Sequence, residues 1–346
     1  MARQPRTASK DARGPLRLAL PSDGELHEPS LLFLEACGMP VERPSSRRYV
    51  ASIPTVPGTQ VLFQRAADIT QKVQEGSAEV GVVGLDRFLE YRQEQGDAML
   101  LIADLGYSQC ELVLAVPDSW VDVSSMEDLA DLALEFRQQG RVLRVATKYP
   151  QLVQQFLSSR GIHYFTLAQA SGTLEAAPAA GYADVIADIT STGSTLRENR
   201  LKPVEGGTVL VSQACLIGNR RALGASAVKL ETARAILERI EAYMRSGSYY
   251  RLSANIQGDS PEAVARHILS QPNLAGLQGP TISKVYGPEG DGWYAVTMVV
   301  PRERLLDAVD HLRGIGGSGI TVFQAGYLFD QECLAYRDLL KALGRD

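Results

Sequence analysis

The stretch ADVIADITSTGSTL (183–196) places an apolar strand that ends in an acidic residue directly before a loop of hydroxyl residues and glycine. The backbone N–H groups and hydroxyls of such a loop can converge on a phosphate monoester, reinforced by the positive end of a helix that begins near Leu196. Asp188, at the end of the strand, can accept hydrogen bonds from ribose hydroxyls. The stretch predicts a site for a phosphorylated sugar, and its alternative interpretation is a Ser/Thr-rich N-cap after a buried strand.

On both sides of this stretch, short apolar strands alternate with amphipathic helices, an order that produces an α/β fold with parallel sheets. The strands are predicted over 16–20, 80–85, 99–104, 112–116, 143–146, 164–167 and 185–188, and the helices between them include 68–76, 149–159 and 173–180. The apolar run 208–217 is predicted as one long strand that returns to the first unit.

The C-terminal third of the chain has a different order of elements. After a helix over 225–245 and the linker Ser246-Gly247-Ser248, the pattern predicts strands over 250–256, 281–286, 293–300 and 319–328 and helices over 261–269, 301–313 and 331–343. A βαββαβ order is the ferredoxin-like motif. Ser260 can cap the first helix, and Pro261 and Pro301 stand at first helical positions, where a missing N–H costs nothing.

Length and composition limit the class of protein. A chain of 346 residues with 45% hydrophobic content indicates two or three domains, and a net charge of −5 without a basic stripe argues against nucleic acid as an obligatory partner. The four cysteines lie far apart, which argues against zinc and against a disulfide framework. Residues 1–15 are predicted to be a disordered leader without the apolar core of a signal peptide, and no apolar run is long enough to span a membrane. We therefore expect a cytoplasmic protein.

Several phrases of the chain resemble one enzyme family. The pattern Asp-x-x-x-Thr-Gly-x-Thr after a strand is typical of the loop that binds phosphoribosyl pyrophosphate, and STGSTLRENRL (191–201) follows GTLEAAP (172–178) and GYAD (181–184). Together they resemble ATP phosphoribosyltransferase, the first enzyme of histidine biosynthesis. Further phrases in the family's order are LP (20–21), DI (68–69), GVVGLD (81–86), DLG (104–106), ATKYP (146–150) and QACLI (213–217).

The resemblance implies an architecture. It is a two-lobed catalytic body of the type II periplasmic-binding-protein kind, with lobe I over 16–111 and 205–246 and lobe II over 112–204, which carries the phosphoribosyl pyrophosphate loop. The ferredoxin-like domain over 249–346 corresponds to the regulatory domain of the long form. That domain implies feedback inhibition by histidine, at a site somewhere within 249–346, and a homo-oligomer between a dimer and a hexamer.

The resemblance also implies the chemistry, transfer of the phosphoribosyl group to N1 of ATP with release of pyrophosphate and with Mg²⁺ held mostly by substrate phosphates. The residues expected at phosphoribosyl pyrophosphate are Asp184, Asp188, Thr190, Ser191, Thr192, Gly193, Ser194 and Thr195. Those expected at ATP or the ribose are Glu175, Asp86, Tyr107, Ser108 and Lys148, although Glu175 could equally be a first-turn helix carboxylate and Asp86 a helix cap. None of the four histidines has a partner at a spacing that identifies a general base.

Two segments depart from the family pattern. The family commonly has a lysine and an arginine around its first glycine, where this chain has SDGE (22–25), and it has an arginine where this chain has Glu111. Acids beside two polyphosphate substrates should weaken binding. The bases that could replace the missing ones are Lys148, Arg65, Arg47 and Arg48; alternatively, the acids could coordinate Mg²⁺ or organise those arginines.

These departures leave two other functions open. One is a catalytically silent regulatory paralogue that binds a nucleotide or an amino acid, although such a protein would have little need of an intact phosphate loop. The other is a small-molecule binding protein of the periplasmic type. The predicted absence of a signal sequence disfavours it, and so does the presence of the C-terminal ferredoxin-like domain.

Overall fold

A computed structural model describes residues 14–45, 47–169, 173–287 and 290–345. Residues 1–13, which are most of the predicted leader, lie outside the described residues. The chain forms two compact units. The first contains the residues up to Arg234 and those from Asp338 onward, and the second is Ala235–Arg337. The division falls inside a helix at each end, whereas we expected it in the linker at 246–248.

The first unit begins with strands and helices in alternation. In chain order they are β1 (Leu16–Pro21), α1 (His27–Ala36), β2 (Val50–Ser52), β3 (Thr59–Gln64), α2 (Ala66–Gln74), β4 (Val80–Gly84), α3 (Leu85–Tyr91), β5 (Ala98–Ile102), β6 (Cys110–Pro117), α4 (Met126–Gln138), β7 (Leu143–Thr147), α5 (Pro150–Ser159), β8 (Phe165–Gln169), β9 (Val185–Thr190), α6 (Ser194–Glu198) and β10 (Leu201–Ser212).

The remaining elements follow the return of the chain to the first sheet. They are β11 (Ala214–Asn219), α7 (Arg220–Gly224), α8 (Ala227–Ser246), β12 (Tyr249–Gln257), α9 (Pro261–Leu269), β13 (Thr281–Gly287), β14 (Gly290–Pro301), α10 (Leu305–Gly314), β15 (Ser318–Gln324) and α11 (Leu334–Ala342). Within the described ranges, none of these helices combines the length and the apolar character that a membrane crossing requires.

Two mixed sheets make up the first unit and confirm the predicted two-lobed α/β body. The sheet of lobe I has the order β2-β3-β1-β4-β11-β5, and that of lobe II has the order β10-β6-β9-β7-β8. The pairs β1·β3, β1·β4, β7·β8 and β7·β9 are parallel, whereas β11 and β6 run antiparallel to their neighbours.

Two predicted elements of this unit are wrong. The run 208–217 is not one strand, because β10 pairs with β6 in lobe II as far as Ser212 and β11 pairs with β4 in lobe I from Ala214 onward. The chain therefore changes lobe at Gln213 and not near residue 205. The helix expected over 173–180 is a single 3₁₀ turn at Leu174–Ala176, since Pro178 cannot donate the N–H that would continue a helix.

Alternation along β9 explains why its last residues reach a cavity. Val185 and Ala187 belong to the hydrophobic core on one face of the sheet of lobe II, and Ile186 belongs to the core on the other face. Both faces are thus covered until residue 187, and burial of each large side chain contributes about 1.5–3 kcal/mol. The strand leaves this core at Asp188, which is half-buried, so its last residues become available to a ligand.

The two crossings between the lobes are hydrogen-bonded to each other. The N–H of Leu105 donates to the carbonyl of Ala214 at 2.9 Å, and the N–H of Ala214 donates to the carbonyl of Tyr107 at 3.1 Å. The side-chain amide of Gln213 also donates to the carbonyl of Ala103 at 2.9 Å. The link between lobes is therefore a paired segment and not two independent loops.

A buried ionic cluster anchors the start of α8 in lobe I. Glu79 is 1% exposed and accepts hydrogen bonds from Arg17 Nη2 at 2.6 Å and from Lys229 Nζ at 2.8 Å. Burial alone would raise the pKa of Glu79, but the two cations hold it below its ordinary value. The stabilisation is therefore present above the ordinary pKa of a glutamate and is lost as the pH falls through the lower pKa of the folded state.

The second unit contains one antiparallel sheet in the order β13-β14-β12-β15, which confirms the predicted ferredoxin-like motif. Ser260 caps α9 by accepting a hydrogen bond from the N–H of Ala263 at 3.1 Å, and Pro261 occupies the first helical position as expected. Pro301 instead ends β14, and a 3₁₀ turn (Arg302–Arg304) separates it from α10. Residues of β12, β14, α9 and α10 form a single hydrophobic core.

Candidate active site

A cavity of about 620 Å³ lies between the two lobes of the first unit, within the range of small-molecule sites. Its lining comes from the segment after β1, the start of α3, the crossing before β6, the turn before α5, and the loop after β9. The lining residues that bear on the chemistry are Asp23, Glu25, Asp86, Arg87, Ser108, Cys110, Lys148, Tyr149, Asp188, Thr190, Ser191, Thr192, Ser194, Thr195, Ser212 and Gln213.

The loop after β9 has the geometry of an anion site. Gly193 adopts φ +70°, a left-handed conformation that favours glycine, and its N–H donates to the hydroxyl of Thr190 at 2.9 Å. The hydroxyls of Thr192 and Ser194 lie 2.8 Å apart. The N-cap of α6 is Gly193, which has no side chain, but the hydroxyls of Thr190 and Thr192 accept hydrogen bonds from the N–H groups of Gly193 and Ser194 at 2.9 and 3.5 Å. Two loop hydroxyls therefore also cap the start of the helix, as the alternative interpretation of the stretch expects.

Asp188 follows this core strand and faces the same cavity as the loop. The N–H of Ile189 donates to its Oδ1 at 2.9 Å. Burial raises the pKa of Asp188 above the ordinary value of an aspartate, and the nearby Lys148 opposes that rise. The structure thus places Asp188, the loop side chains from Thr190 to Thr195, Ser108 and Lys148 around one cavity, and their predicted contacts to the substrates stay predictions.

Asp86 also lines the cavity, but both of its carboxylate oxygens are used within the protein. It is 6% exposed, and it accepts hydrogen bonds from Ser212 Oγ at 2.7 Å and from the hydroxyl of Tyr149 at 2.7 Å. Tyr149 immediately follows Lys148, so Asp86 in lobe I fixes the turn of lobe II that carries this cation. Asp86 therefore positions the site through these bonds, and the contact to ATP or ribose expected of it stays a prediction.

Glu90, one turn further along α3, makes a second connection between the lobes. Its two oxygens accept hydrogen bonds from the N–H groups of Gln151 and Leu152, both at 3.0 Å, at the start of α5. Acceptors are favourable at a helix N-terminus because those N–H groups have no partner inside the helix. The sequence interpretation missed Glu90, because it predicted no helix here; in α3 the spacing of four places Asp86 and Glu90 on one face.

Replacing Tyr149 with phenylalanine should lower the free energy of unfolding by about 1 kcal/mol, because Asp86 loses a donor while its carboxylate stays buried. Urea denaturation followed by circular dichroism measures the change. Tyr164→Phe is the matched control, since Tyr164 is exposed on the same lobe. Equal stabilities of the two variants would contradict a structural role for the bond between Tyr149 and Asp86.

Two residues expected at the substrates do not line this cavity, although Glu175 is close enough to Asp188 to raise its pKa. Asp184 and Glu175 line a separate cavity of about 820 Å³ on lobe II, next to Arg144, Trp120 and Arg200. Asp184 is 7% exposed and accepts hydrogen bonds from Nε and Nη2 of Arg144 at 3.0 and 2.9 Å. Burial alone would raise the pKa of Asp184, but the ion pair with Arg144 lowers it.

The misplacement of Asp184 has a geometric reason. Asp184 and Asp188 share a face by strand periodicity, but four residues of strand separate them by about 13 Å. Asp184 therefore orients Arg144 and does not reach the loop after β9. The expected contact from Tyr107 does not fit either, because its buried hydroxyl donates to Ser30 Oγ at 3.0 Å. Its neighbour Ser108 does line the cavity.

The charges of the cavity differ from those that the sequence suggested. Among the described residues that line it, the acids are Asp23, Glu25, Asp86 and Asp188, and the bases are Lys148 and Arg87. Arg65, Arg47 and Arg48 are not in this set, and neither is Glu111. The described residues contain no group of three or more His, Cys, Asp or Glu side chains that could hold a metal ion.

Comparison with known proteins decides the family. A family model described as ATP phosphoribosyltransferase matches residues 65–242, and a second, described as HisG, C-terminal domain, matches 247–325. A protein of Arabidopsis thaliana named ATP phosphoribosyltransferase 1, chloroplastic, is 41% identical over 338 residues, which are 96% of this chain and 82% of that one. The chain belongs to the ATP phosphoribosyltransferase family.

Shorter members of the ATP phosphoribosyltransferase family match the first unit. The enzyme of Brucella anthropi is 47% identical over 208 residues, which cover 59% of this chain and 90% of the relative. In a solved structure of the ATP phosphoribosyl transferase (HisG:HisZ) complex from Thermotoga maritima, one chain superposes with a TM-score of 0.50 at 26% identity, over 65% of this chain and 95% of that one.

Family membership fixes the reaction class. The chain is a pentosyltransferase of the first step of histidine biosynthesis, as predicted. Its match to the second family model assigns residues 247–325 to the regulatory domain of the long form, which implies feedback by histidine.

Proposed function

We propose that the cavity between the lobes binds phosphoribosyl pyrophosphate through the loop after β9 and binds ATP in the same space. The observation that carries the proposal is the loop at Gly193, whose hydroxyls face a cavity that also contains Asp188. In this pose the hydroxyls of residues 191–195 bind the 5-phosphate together with the loop N–H groups other than that of Gly193, which donates to Thr190. Asp188 accepts hydrogen bonds from the ribose hydroxyls.

The proposed reaction is a displacement at C1 of the ribose. N1 of adenine attacks with its own lone pair, the N1–C1 bond forms, and the C1–O bond breaks so that pyrophosphate leaves with the electron pair. Such a reaction depends on alignment of the substrates and on stabilisation of charge, so it needs neither a covalent protein nucleophile nor a base for bond formation. Asp188 also places a negative charge beside the ribose, where positive charge develops.

The cavity fits a magnesium ion held mainly by substrate oxygens. Mg²⁺ prefers oxygen ligands and is commonly bound by one or two carboxylates together with phosphates, and Asp23 and Glu25 supply such carboxylates here. When bound, Mg²⁺ neutralises charge on the departing pyrophosphate. We therefore propose Mg²⁺ as the cofactor and Asp23 and Glu25 as its protein contacts.

The decisive experiment is a turnover assay of the full chain with ATP, phosphoribosyl pyrophosphate and Mg²⁺. We expect phosphoribosyl-ATP, detected by its ultraviolet absorbance, and no product when the sugar donor is omitted. Binding of ATP by calorimetry without turnover, over a range of pH and salt, would instead support the silent regulatory paralogue.

We further propose that the effector site of the second unit is a polar cavity of about 640 Å³ lined by Gln257, Gly258, Asp259, Lys284, Gly292 and Tyr294. A free amino acid carries an ammonium and a carboxylate. In this cavity the carboxylate of Asp259 is complementary to the ammonium, and the ammonium of Lys284 is complementary to the carboxylate. The pairing supports a free amino acid as the ligand, because both of its charged groups find a complementary partner, and the match to the regulatory domain favours histidine.

Asp259→Ala should therefore raise the histidine concentration for half-inhibition about tenfold, which corresponds to the loss of one charge-assisted hydrogen bond. Turnover without histidine should not change. The control is Asp310→Ala, because Asp310 is an exposed acid on α10 of the same unit. If both variants respond to histidine like the parent protein, the effector binds elsewhere.

We propose a homo-oligomer between a dimer and a hexamer, which light scattering after gel filtration measures directly. We also propose a cytoplasmic location, although two of the similar plant proteins are named as chloroplastic.

A further inference from the structure

We infer that Arg87 binds the polyphosphate of a substrate in this chain and takes the place of the bases missing from residues 22–25 and 111. The inference rests on the proposed function of the cavity between the lobes. Arg87 lines that cavity from lobe I, and Lys148 lines it from lobe II. The sequence interpretation did not include Arg87.

The lining of the cavity carries more negative than positive charge. The described lining residues have four carboxylates and two cations, so the protein itself contributes an excess of negative charge before a substrate or the proposed Mg²⁺ enters. ATP and phosphoribosyl pyrophosphate both add several negative charges, and like charges at close range disfavour binding. Binding of either substrate must therefore depend strongly on the few cations present, of which Arg87 has the planar guanidinium suited to phosphate oxygens.

Arg87 is held in place before a ligand binds. The carbon of its guanidinium lies 4.7 Å from the centroid of the Tyr149 ring. Tyr149 is itself fixed by its hydrogen bond to Asp86. Stacking on a ring restricts the guanidinium while leaving the N–H groups at its edge directed sideways, where phosphate oxygens can accept from them.

Within the described residues, Arg87 forms no ion pair shorter than its 3.9 Å contact with Asp86. Its Nε lies 3.9 Å from Asp86 Oδ2, an oxygen that already accepts from Tyr149, and its contact with the Tyr91 hydroxyl is 3.5 Å. Its side chain is 24% exposed, enough to reach a ligand in the cavity. The guanidinium is thus oriented by weak contacts that a phosphate can supplement.

Arg92 offers a matched comparison. It ends the same helix, and its guanidinium also lies over an aromatic ring, 5.9 Å from the centroid of Phe88, but it does not line the cavity. Removal of either arginine therefore takes one charge and one stacking contact from the same element. Only the removal of Arg87 should affect a ligand between the lobes.

The test uses the full chain and titrates inorganic pyrophosphate with MgCl₂ by calorimetry, alongside steady-state kinetics with both substrates. Arg87→Met should weaken pyrophosphate binding about tenfold and raise a substrate KM by a similar factor, as expected for one charge-assisted contact to phosphate. Arg87→Lys should recover part of the affinity, and Arg92→Met should bind like the parent protein. The salt dependence of binding should be smaller in Arg87→Met, since one fewer cation is involved.

Thermal melting identifies a folding defect, and Arg87→Gln, which keeps polar atoms near Tyr149, is the second variant if Arg87→Met is unstable. Pyrophosphate affinity equal to the parent in a folded Arg87 variant, or equal losses in the Arg87 and Arg92 variants, would overturn the inference. A parent protein without turnover would contradict the proposed reaction, while the calorimetric comparison would still measure the role of Arg87.

Discussion

Gly193→Val should reduce kcat/KM for phosphoribosyl pyrophosphate by at least about 100-fold, the scale of loss that follows from misplacing a positioned substrate by an ångström. Gly193 adopts φ +70°, which costs a residue with a side chain about 1–2 kcal/mol. A Cβ at this position would also lie 3.0 Å from Nη1 of Arg197. The end of the flexible arginine side chain can move aside, but a β-branched residue disfavours the left-handed backbone, so we expect the loop to change conformation and its donors no longer to converge on one phosphate.

The control for this variant separates backbone strain from loss of the site. Gly161, after α5 in the same lobe, has φ +76°, and a Cβ added there would meet open space within the described part of the chain. Gly161→Val should lose similar stability in a urea titration and retain near-normal turnover. Should Gly193→Val keep the parent's kinetics, the loop would have no role in binding the sugar donor.

Asp188→Asn should lower kcat/KM about 100-fold and at the same time raise the melting temperature at neutral pH. The loss follows if the ribose hydroxyls donate to a carboxylate, because hydrogen bonds to a charged acceptor contribute about 1.5–3 kcal/mol each. The gain in stability follows from the raised pKa of Asp188, which burial causes. A carboxyl with a raised pKa stabilises the fold below its ordinary pKa, and that contribution is lost as the pH rises through the raised value.

The pH dependence tests the same point. If the ionised form binds the ribose, the fall of kcat/KM on the acid side should lie above the ordinary range of an aspartate and should be absent from Asp188→Asn. Asp184→Asn is the control on stability. The ion pair with Arg144 lowers the pKa of Asp184, so the ionised carboxylate stabilises the fold at neutral pH, opposite to Asp188. That variant should melt at a lower temperature at neutral pH, with little change in KM. Two variants with the same direction of change in stability would contradict the assignments.

Sequence reasoning succeeded where neighbouring residues in the chain also cooperate in the fold. The strand, Asp188 and the loop at 190–195 lie in one short segment, so their order alone brings them to one end of β9. The βαββαβ order of the second unit was predictable for a similar reason, because each element has its own apolar period and its own turn signals.

The parts that failed depend on contacts between distant positions. Asp86 bonds to Tyr149 and Ser212, which are 63 and 126 positions away, so no local pattern could show that its oxygens are occupied. Arg87 follows Asp86 in the sequence, but only the packing of α3 against the turn at Tyr149 shows that it faces the cavity. The change of lobe at Gln213 was equally hidden, since an apolar run looks the same whether it pairs in one sheet or two.

The hydrogen-bonded link between the lobes has a consequence for how this architecture can be altered. Cys110 and Ser212, the first and last residues of the strands that open and close lobe II, are direct partners in the pairing of β6 with β10. Partners in an antiparallel ladder have Cα atoms about 5 Å apart. Lobe II is thus an insertion whose two ends meet, the geometry that tolerates domain transplantation and circular permutation. A short turn in place of residues 110–212 should reconnect the chain of lobe I, and the excised segment would contain the whole phosphate loop.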